Sequence, residues 1–297
     1  MGRVADWVQM FRAGNCLTGF VGVFLGSILS LDGFPQGEEA IITFLLALSV
    51  YSFMASWNAL NDYVDIEIDK LNRPDRPLPD GRISTTTAMI AISLMMLLSF
   101  SSLVGAALYA SSMPEEFSEW YPTIAIWFLA IFLLVNYESI GPYTLGLKEK
   151  GLPGNLAISL SVGLVVLFGA AGVFDPWNLK AITLFLIGTL FNFAREIIKD
   201  VEDMGGDKGR NTYVMRVGAE KARLTAWLLL LLTLIVIITP FALEIFPIYH
   251  LILVSPSLFV LLTVKKNIVL AEDTVASKRI KISMILAIFG LLTSVLI

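Results

Sequence analysis

Apolar residues in this chain come in long runs, neither alternating as in a half-buried strand nor confined to one helical stripe. A membrane-crossing helix needs about 20 mostly apolar residues. Nine segments qualify, near residues 13–31, 40–60, 87–110, 120–137, 155–174, 178–197, 222–239, 245–264 and 280–297. The pattern predicts an all-α integral membrane fold, a single polytopic domain over residues 1–297. In the first segment, Gly14, Gly19, Gly22 and Gly26 suit a close helix-packing face. No small-x-small cleavage site follows it, so it reads as a span and not as a signal peptide. Pro240 and Pro256 are placed to bend late helices.

The polar positions between the runs set the orientation. Arg3 and Arg12 precede the first span, Lys70, Arg73, Arg76 and Arg82 follow the second, and Lys148 and Lys150 follow the fourth. Further basic residues follow the sixth and eighth, among them Arg216, Lys221, Lys265 and Lys278. All of these fall on one side. The other side has Lys180 among acids such as Glu38, Glu39, Glu115, Glu116 and Asp175. Basic loops stay in the cytoplasm. The expectation is a multi-pass protein of the cell membrane, with its N-terminus and its charged, chemically active face cytoplasmic.

Composition agrees and narrows the chemistry. Apolar residues make up 56% of the chain and charged ones 15%, and the mean hydropathy is +0.77. Soluble domains carry roughly 45–50% and about 25%. One cysteine, Cys16, excludes a disulfide framework or a cysteine-based zinc site. One histidine, His250, excludes a multi-histidine metal centre; it reads as an interfacial residue.

Against that background, one polar stretch is out of place. NDYVDIEIDKLNRPDRPLPDG follows the second span and holds Asp62, Asp65 and Asp69 in the spacing D-x-x-D-x-x-x-D. After the sixth span, REIIKDVEDMGGDKGRNT repeats that spacing in Asp200, Asp203 and Asp207. Acids at helix ends are ordinarily solvated; a matched pair of triplets on one side of a membrane is not ordinary, because ionisable clusters there are costly and usually functional. On a helix, positions i, i+3 and i+7 share a face, so each triplet needs a positive charge between its members. A hard divalent cation fits: Mg²⁺ takes oxygen ligands, typically one or two carboxylates together with substrate phosphates. Arg73 and Arg76 suit forked phosphate contacts and Lys148 a point charge on the same ligand. Asn15, Asn58, Asn61, Asn155 and Asn192 suit either diphosphate or Mg²⁺ binding, or hydrogen bonds between helices. Glu67 and Glu202 lie off the shared faces.

NDYVDIEID with NRPDRPLPDGRIS resembles the first aspartate-rich motif of the UbiA-type intramembrane prenyltransferases, and DVEDMGGDKGRNTYVMRVG resembles their second. YTLGLKEKGLPGNLAIS resembles the segment between helices four and five, through Tyr143, Lys148 and Asn155, and RAGNCLTGF resembles the start of helix one, through Arg12 and Asn15. The second motif departs from the family pattern. It has three acids where many members show two spaced by four, which leaves the ligand set among Asp200, Asp203 and Asp207 open. The last three helices carry no recognisable motif.

The resemblance implies nine helices around a central cavity with a cytoplasmic cap, and Mg²⁺-dependent transfer from a polyprenyl diphosphate donor to a lipid acceptor within the bilayer. No nucleic acid is involved. It places Mg²⁺ on Asp65, Asp69, Asp200, Asp203 and Asp207, with Asp62 in the same catalytic group. Residues 195–218 are most similar to the archaeal digeranylgeranylglyceryl phosphate synthases. That similarity implies a geranylgeranyl donor and geranylgeranylglyceryl phosphate as acceptor. Neutralised diphosphate is a good leaving group, and an apolar cavity shields the allylic cation from water. Tyr51, Phe53 and Trp57 offer faces for that cation or plain packing. Alternatives are prenylation of an aromatic quinone precursor and a cation-coupled transporter. Transporter sites sit near the bilayer midplane, whereas these acids lie at helix ends beside arginines.

Overall fold

In the computed structural model, residues 3–138, 143–204 and 211–297 are described, with only the backbone of 68, 71 and 72. Among them the regular structure is helical: α1 Val4–Phe11, α2 Ala13–Leu31, α3 Gly37–Val64, α4 Ile66–Asn72, α5 Thr85–Ala110, α6 Tyr121–Tyr137, α7 Leu152–Gly172, α8 Leu179–Asp203, α9 Tyr213–Val217, α10 Ala219–Ala242, α11 Leu251–Val269 and α12 Asp273–Leu296. Nine helices among the described residues are long and apolar enough to cross a membrane, and they coincide with the nine expected spans. The short α1, α4 and α9 are additions. A helix satisfies its own backbone in lipid, so length and hydropathy alone locate the spans. Their ends follow local chemistry: Ser84 accepts from the Thr87 amide to start α5, and Asn178 accepts from the Lys180 and Ala181 amides to start α8.

The helices divide into two compact units: Met1–Ser27, Phe34–Ile124 and Phe168–Pro176 form one, and Ile28–Gly33, Ala125–Leu167 and Trp177–Ile297 the other. In the first, α3 packs along α5. Gly169 of α7 meets the backbone of α2 so closely that a Cβ would fall 1.9 Å from the Val23 carbonyl oxygen. Ser27 donates to the Gly169 carbonyl at 3.0 Å and accepts from Thr43 at 3.0 Å. Small residues and hydroxyls are the usual glue where no hydrophobic effect separates helix from lipid. Of the expected glycine face, Gly19 packs against Met54 and Val50, but Gly14 faces open space. Its spacing fits that face, yet none of the described residues comes within 4 Å of a Cβ placed there. In the second unit α8, α10, α11 and α12 pack together. His250, at the start of α11, is buried, with Nδ1 2.8 Å from the Ser294 hydroxyl.

The rim of the first unit is a small structure of its own. Met10 of α1 packs with Ala59, Leu78, Ile83, Ala88 and Ile92. Arg82 pairs with Asp6 and Asp80 and donates to the Asp75 carbonyl, which fastens the 75–82 segment to α1. The cluster holds the stretch after the first acid motif against the end of α3.

Candidate active site

The first acid triplet does not lie on one continuous helix. Asp65 ends α3 and precedes α4, with φ −87° and ψ 10°. Hydrogen bonds carry across the joint, from the Asp65 amide to Asn61 and from the Asp69 amide to Asp65, at 3.0 and 2.8 Å. Asp62 and Asp69 still face the same way, because one nitrogen, Arg76 Nη1, lies 2.8 Å from Asp62 Oδ1 and 2.5 Å from Asp69 Oδ2. Arg12 Nη2 reaches the same Asp62 oxygen at 2.7 Å. The positive charge between these two acids is therefore supplied by the protein. Asp62 is 3% exposed. A buried carboxylate with two guanidinium partners is an anchor, since losing a partner would leave an uncompensated charge.

Asp65 stands apart from that pairing. It is half-buried and accepts from Asn61 Nδ2 at 3.4 Å. Arg73 is exposed and makes no ion pair among the described residues. The Asn58 amide donates to the Phe11 carbonyl at 3.0 Å and to Cys16 Sγ at 3.7 Å. These bonds hold the turn in which Arg12 adopts φ +50°, ψ 51°. Of the two roles open to Asn58, the structure displays the bridging one. Asn15 is exposed on α2. Cys16 is a small buried residue, as its place in a span suggests. Phe53 and Trp57 stack on each other, 5.9 Å between centroids.

In the second unit, Asp200 accepts from Asn155 Nδ2 at 2.8 Å, which joins α8 to the first turn of α7. Asp203 is exposed at the end of α8, and Asp207 lies outside the described residues. Lys148 sits in the short turn Leu147–Glu149, with Nζ 3.1 Å from Glu138 Oε2 and 6.0 Å from the Tyr137 ring centre. Glu138 is buried and was not singled out in the sequence; a lone acid at the end of a span gives no spacing to recognise. Close packing fixes this turn: a Cβ on Gly154 would lie 2.4 Å from the Leu147 carbonyl oxygen. Gly151, at φ +75°, lies against the Tyr213 backbone, and Arg216 donates to the Glu149 carbonyl at 3.0 Å. Tyr143 is 98% exposed. Glu67 and Glu202 are solvated, paired with Lys70 and Thr274.

Each unit thus offers hard oxygen donors beside cations. Among the described residues, no three acid, histidine or cysteine side chains converge on one point. Mg²⁺ typically takes one or two carboxylates and completes its shell with water and substrate phosphates. Asp65 with Asn61, and Asp200 with Asn155, are donor pairs of that kind.

Known proteins resemble this chain along nearly its whole length. A digeranylgeranylglyceryl phosphate synthase of Methanosarcina mazei is 30% identical over 98% of this chain and 99% of its own length. A solved structure of a digeranylgeranylglyceryl phosphate synthase superposes with a TM-score of 0.75 at 26% identity, covering 99% of this chain and 98% of that one. A UbiA homologue of Archaeoglobus fulgidus, solved with GPP and Mg²⁺, shares the fold at a TM-score of 0.60 and 17% identity, over 95% of this chain and 99% of that one. The UbiA prenyltransferase family itself matches residues 18–289, a stretch containing both acid motifs. The chain is a multi-pass membrane protein, and it belongs to the UbiA prenyltransferase family.

Proposed function

We propose that this enzyme transfers a geranylgeranyl group from geranylgeranyl diphosphate to geranylgeranylglyceryl phosphate, with Mg²⁺ as cofactor. The observation that carries the reading is the end-to-end similarity to a relative of that name. Mg²⁺ and a prenyl diphosphate occur together in the A. fulgidus homologue. The family match runs across both compact units, which supports one polytopic domain.

Bound Mg²⁺ would neutralise charge on the departing diphosphate. The protein's part is to present that charge-bearing group and keep water away. Asp65 and Asn61 offer metal ligands in the first motif; Asp200, with Asp203 and Asp207, offers them in the second. Asp62 fixes Arg12 and Arg76. Arg76 uses Nη1 for its two carboxylates, which leaves Nε and Nη2 for phosphate oxygens. Arg73 and Lys148 add donors aimed at the developing charge. The C–O bond of the diphosphate ester breaks, the glycerol hydroxyl oxygen forms the new bond to the same carbon, and the hydroxyl proton passes to the released diphosphate. The acceptor's own phosphate cannot sit cheaply in hydrocarbon. Arg12 is committed to Asp62, so Lys150, which is exposed, and Arg195, whose Nη1 lies 3.4 Å from Glu196 and whose Nε is buried without a partner among the described residues, are the cations proposed for it.

The test is incubation of purified protein with labelled geranylgeranyl diphosphate, Mg²⁺ and a panel of acceptors, with products identified by mass spectrometry. The expected product is an ether lipid, lost with excess chelator and restored by Mg²⁺. Full activity in chelator would overturn the metal assignment. A prenylated aromatic ring with no reaction on glyceryl phosphates would replace the acceptor while keeping the enzyme class. Arg195→Gln should raise the acceptor KM and leave the donor KM nearly unchanged.

A further inference from the structure

Three polar layers run up the seam between α7 and α8 in the second unit, and the last of them is Asp200. At one end, Gly163 lets the helices approach: a Cβ there would lie 2.2 Å from Thr189 Oγ1 and 2.9 Å from the Phe185 carbonyl oxygen. One turn along α7, Asn192 Nδ2 donates to Ser159 Oγ at 3.3 Å. Ser159 in turn donates to the Asn155 carbonyl at 2.6 Å, and Asn155 Nδ2 donates to Asp200 at 2.8 Å. Ser159 is fully buried and Asn192 nearly so.

We infer that Ser159 and Asn192 are positioning residues that hold Asn155, and through it the Asp200 carboxylate, in the orientation that receives the Mg²⁺-diphosphate. The inference rests on the reading of Asp200 as a ligand of that group. A serine hydroxyl has one hydrogen and two acceptor sites. The bond from Asn192 occupies an acceptor site, which turns the single hydrogen towards the Asn155 carbonyl. Asn155 is in the first turn of α7, where helices fray most easily. Pinning its backbone carbonyl limits the sweep of its side chain. A leucine pair at 159 and 192 would fill a span without the cost of burying polar groups. The polar pair is placed where it restrains Asn155, which reaches Asp200 from α7.

Binding of Mg²⁺ with inorganic pyrophosphate, read as a thermal shift of the purified full chain in detergent, tests this without turnover. Asp200→Asn is the control for the ligand assignment and should weaken binding. Asn155→Ala should weaken it by about 10- to 100-fold, as loss of an outer partner of a metal ligand does. Asn192→Ala and Ser159→Ala should each cost about tenfold, and Ser159→Thr, which keeps the hydroxyl, should bind as the parent does. Asn192→Ala combined with Asn155→Ala should be no weaker than Asn155→Ala alone. Multiplying effects in the double variant, or parent-like binding by Asn192→Ala and Ser159→Ala, would overturn the inference. Unchanged binding by Asp200→Asn would remove the ligand reading and this inference with it, a result visible in the control alone. Each shift is read against the variant's own unliganded unfolding temperature, so altered packing at the buried Ser159 is not mistaken for altered binding.

Discussion

At the scale of single residues, the first two acids of the first motif have opposite tasks. Asp62 is buried between Arg12 and Arg76, whereas Asp65 bonds Asn61 across one helical turn. Asp62→Ala should therefore act first on stability, by about 3–5 kcal/mol, as loss of one member of a buried ion pair does. Asp65→Asn should unfold near the parent temperature yet lose about 100-fold or more in turnover, on the scale of other charge-stabilising groups. Thermal unfolding and initial rates on the same preparations separate the two, and a thermally normal Asp62→Ala would refute the anchor role. The sequence makes Asp62, Asp65 and Asp69 equivalent, because spacing alone puts them on one face. What divides them is Arg76, seven residues past Asp69 and beyond a proline turn, and no local pattern predicts where its guanidinium folds back.

At the scale of elements, all nine spans were legible, since burial in lipid demands an uninterrupted apolar run, but their polar ends were not: the last begins at Asp273, seven residues before its apolar run. The short helices were not. α1 spans only eight residues, and its place depends on Asp6 pairing with Arg82 far along the chain. The joint at Asp65 carries no glycine or proline to announce it. Ser159 was equally silent: it looks like an ordinary member of an apolar run until α7 and α8 are placed side by side, and Asn192, one of the asparagines open to ligand or interhelical bonding, takes the interhelical role towards it. Glycines show the same limit. Gly154→Ala must push back the turn bearing Lys148 and should cost about 1–3 kcal/mol, with a raised KM for the diphosphate donor. Gly14→Ala meets nothing within 4 Å and should be neutral or stabilising by about 0.5–1 kcal/mol, as relief of helix glycine is. Equal unfolding temperatures for the two variants would contradict the packing described at Gly154.

At the scale of the whole molecule, both acid motifs belong with the basic connections, so both are expected to face the cytoplasm. Asp75→Cys should react with an impermeant thiol reagent only in inside-out vesicles, and Glu116→Cys only in right-side-out ones; both side chains are exposed. The reverse pattern would invert the topology. The chain also carries its own internal standard for such work. Its single thiol, Cys16, is fully buried, and its Sγ donates to the Phe11 carbonyl at 3.1 Å beneath the turn that carries Arg12. An impermeant reagent cannot reach it while that corner is closed, so the native protein needs no cysteine removed before a reporter is added. Labelling of the parent chain would then be a direct alarm that the Arg12–Asp62 corner has come apart.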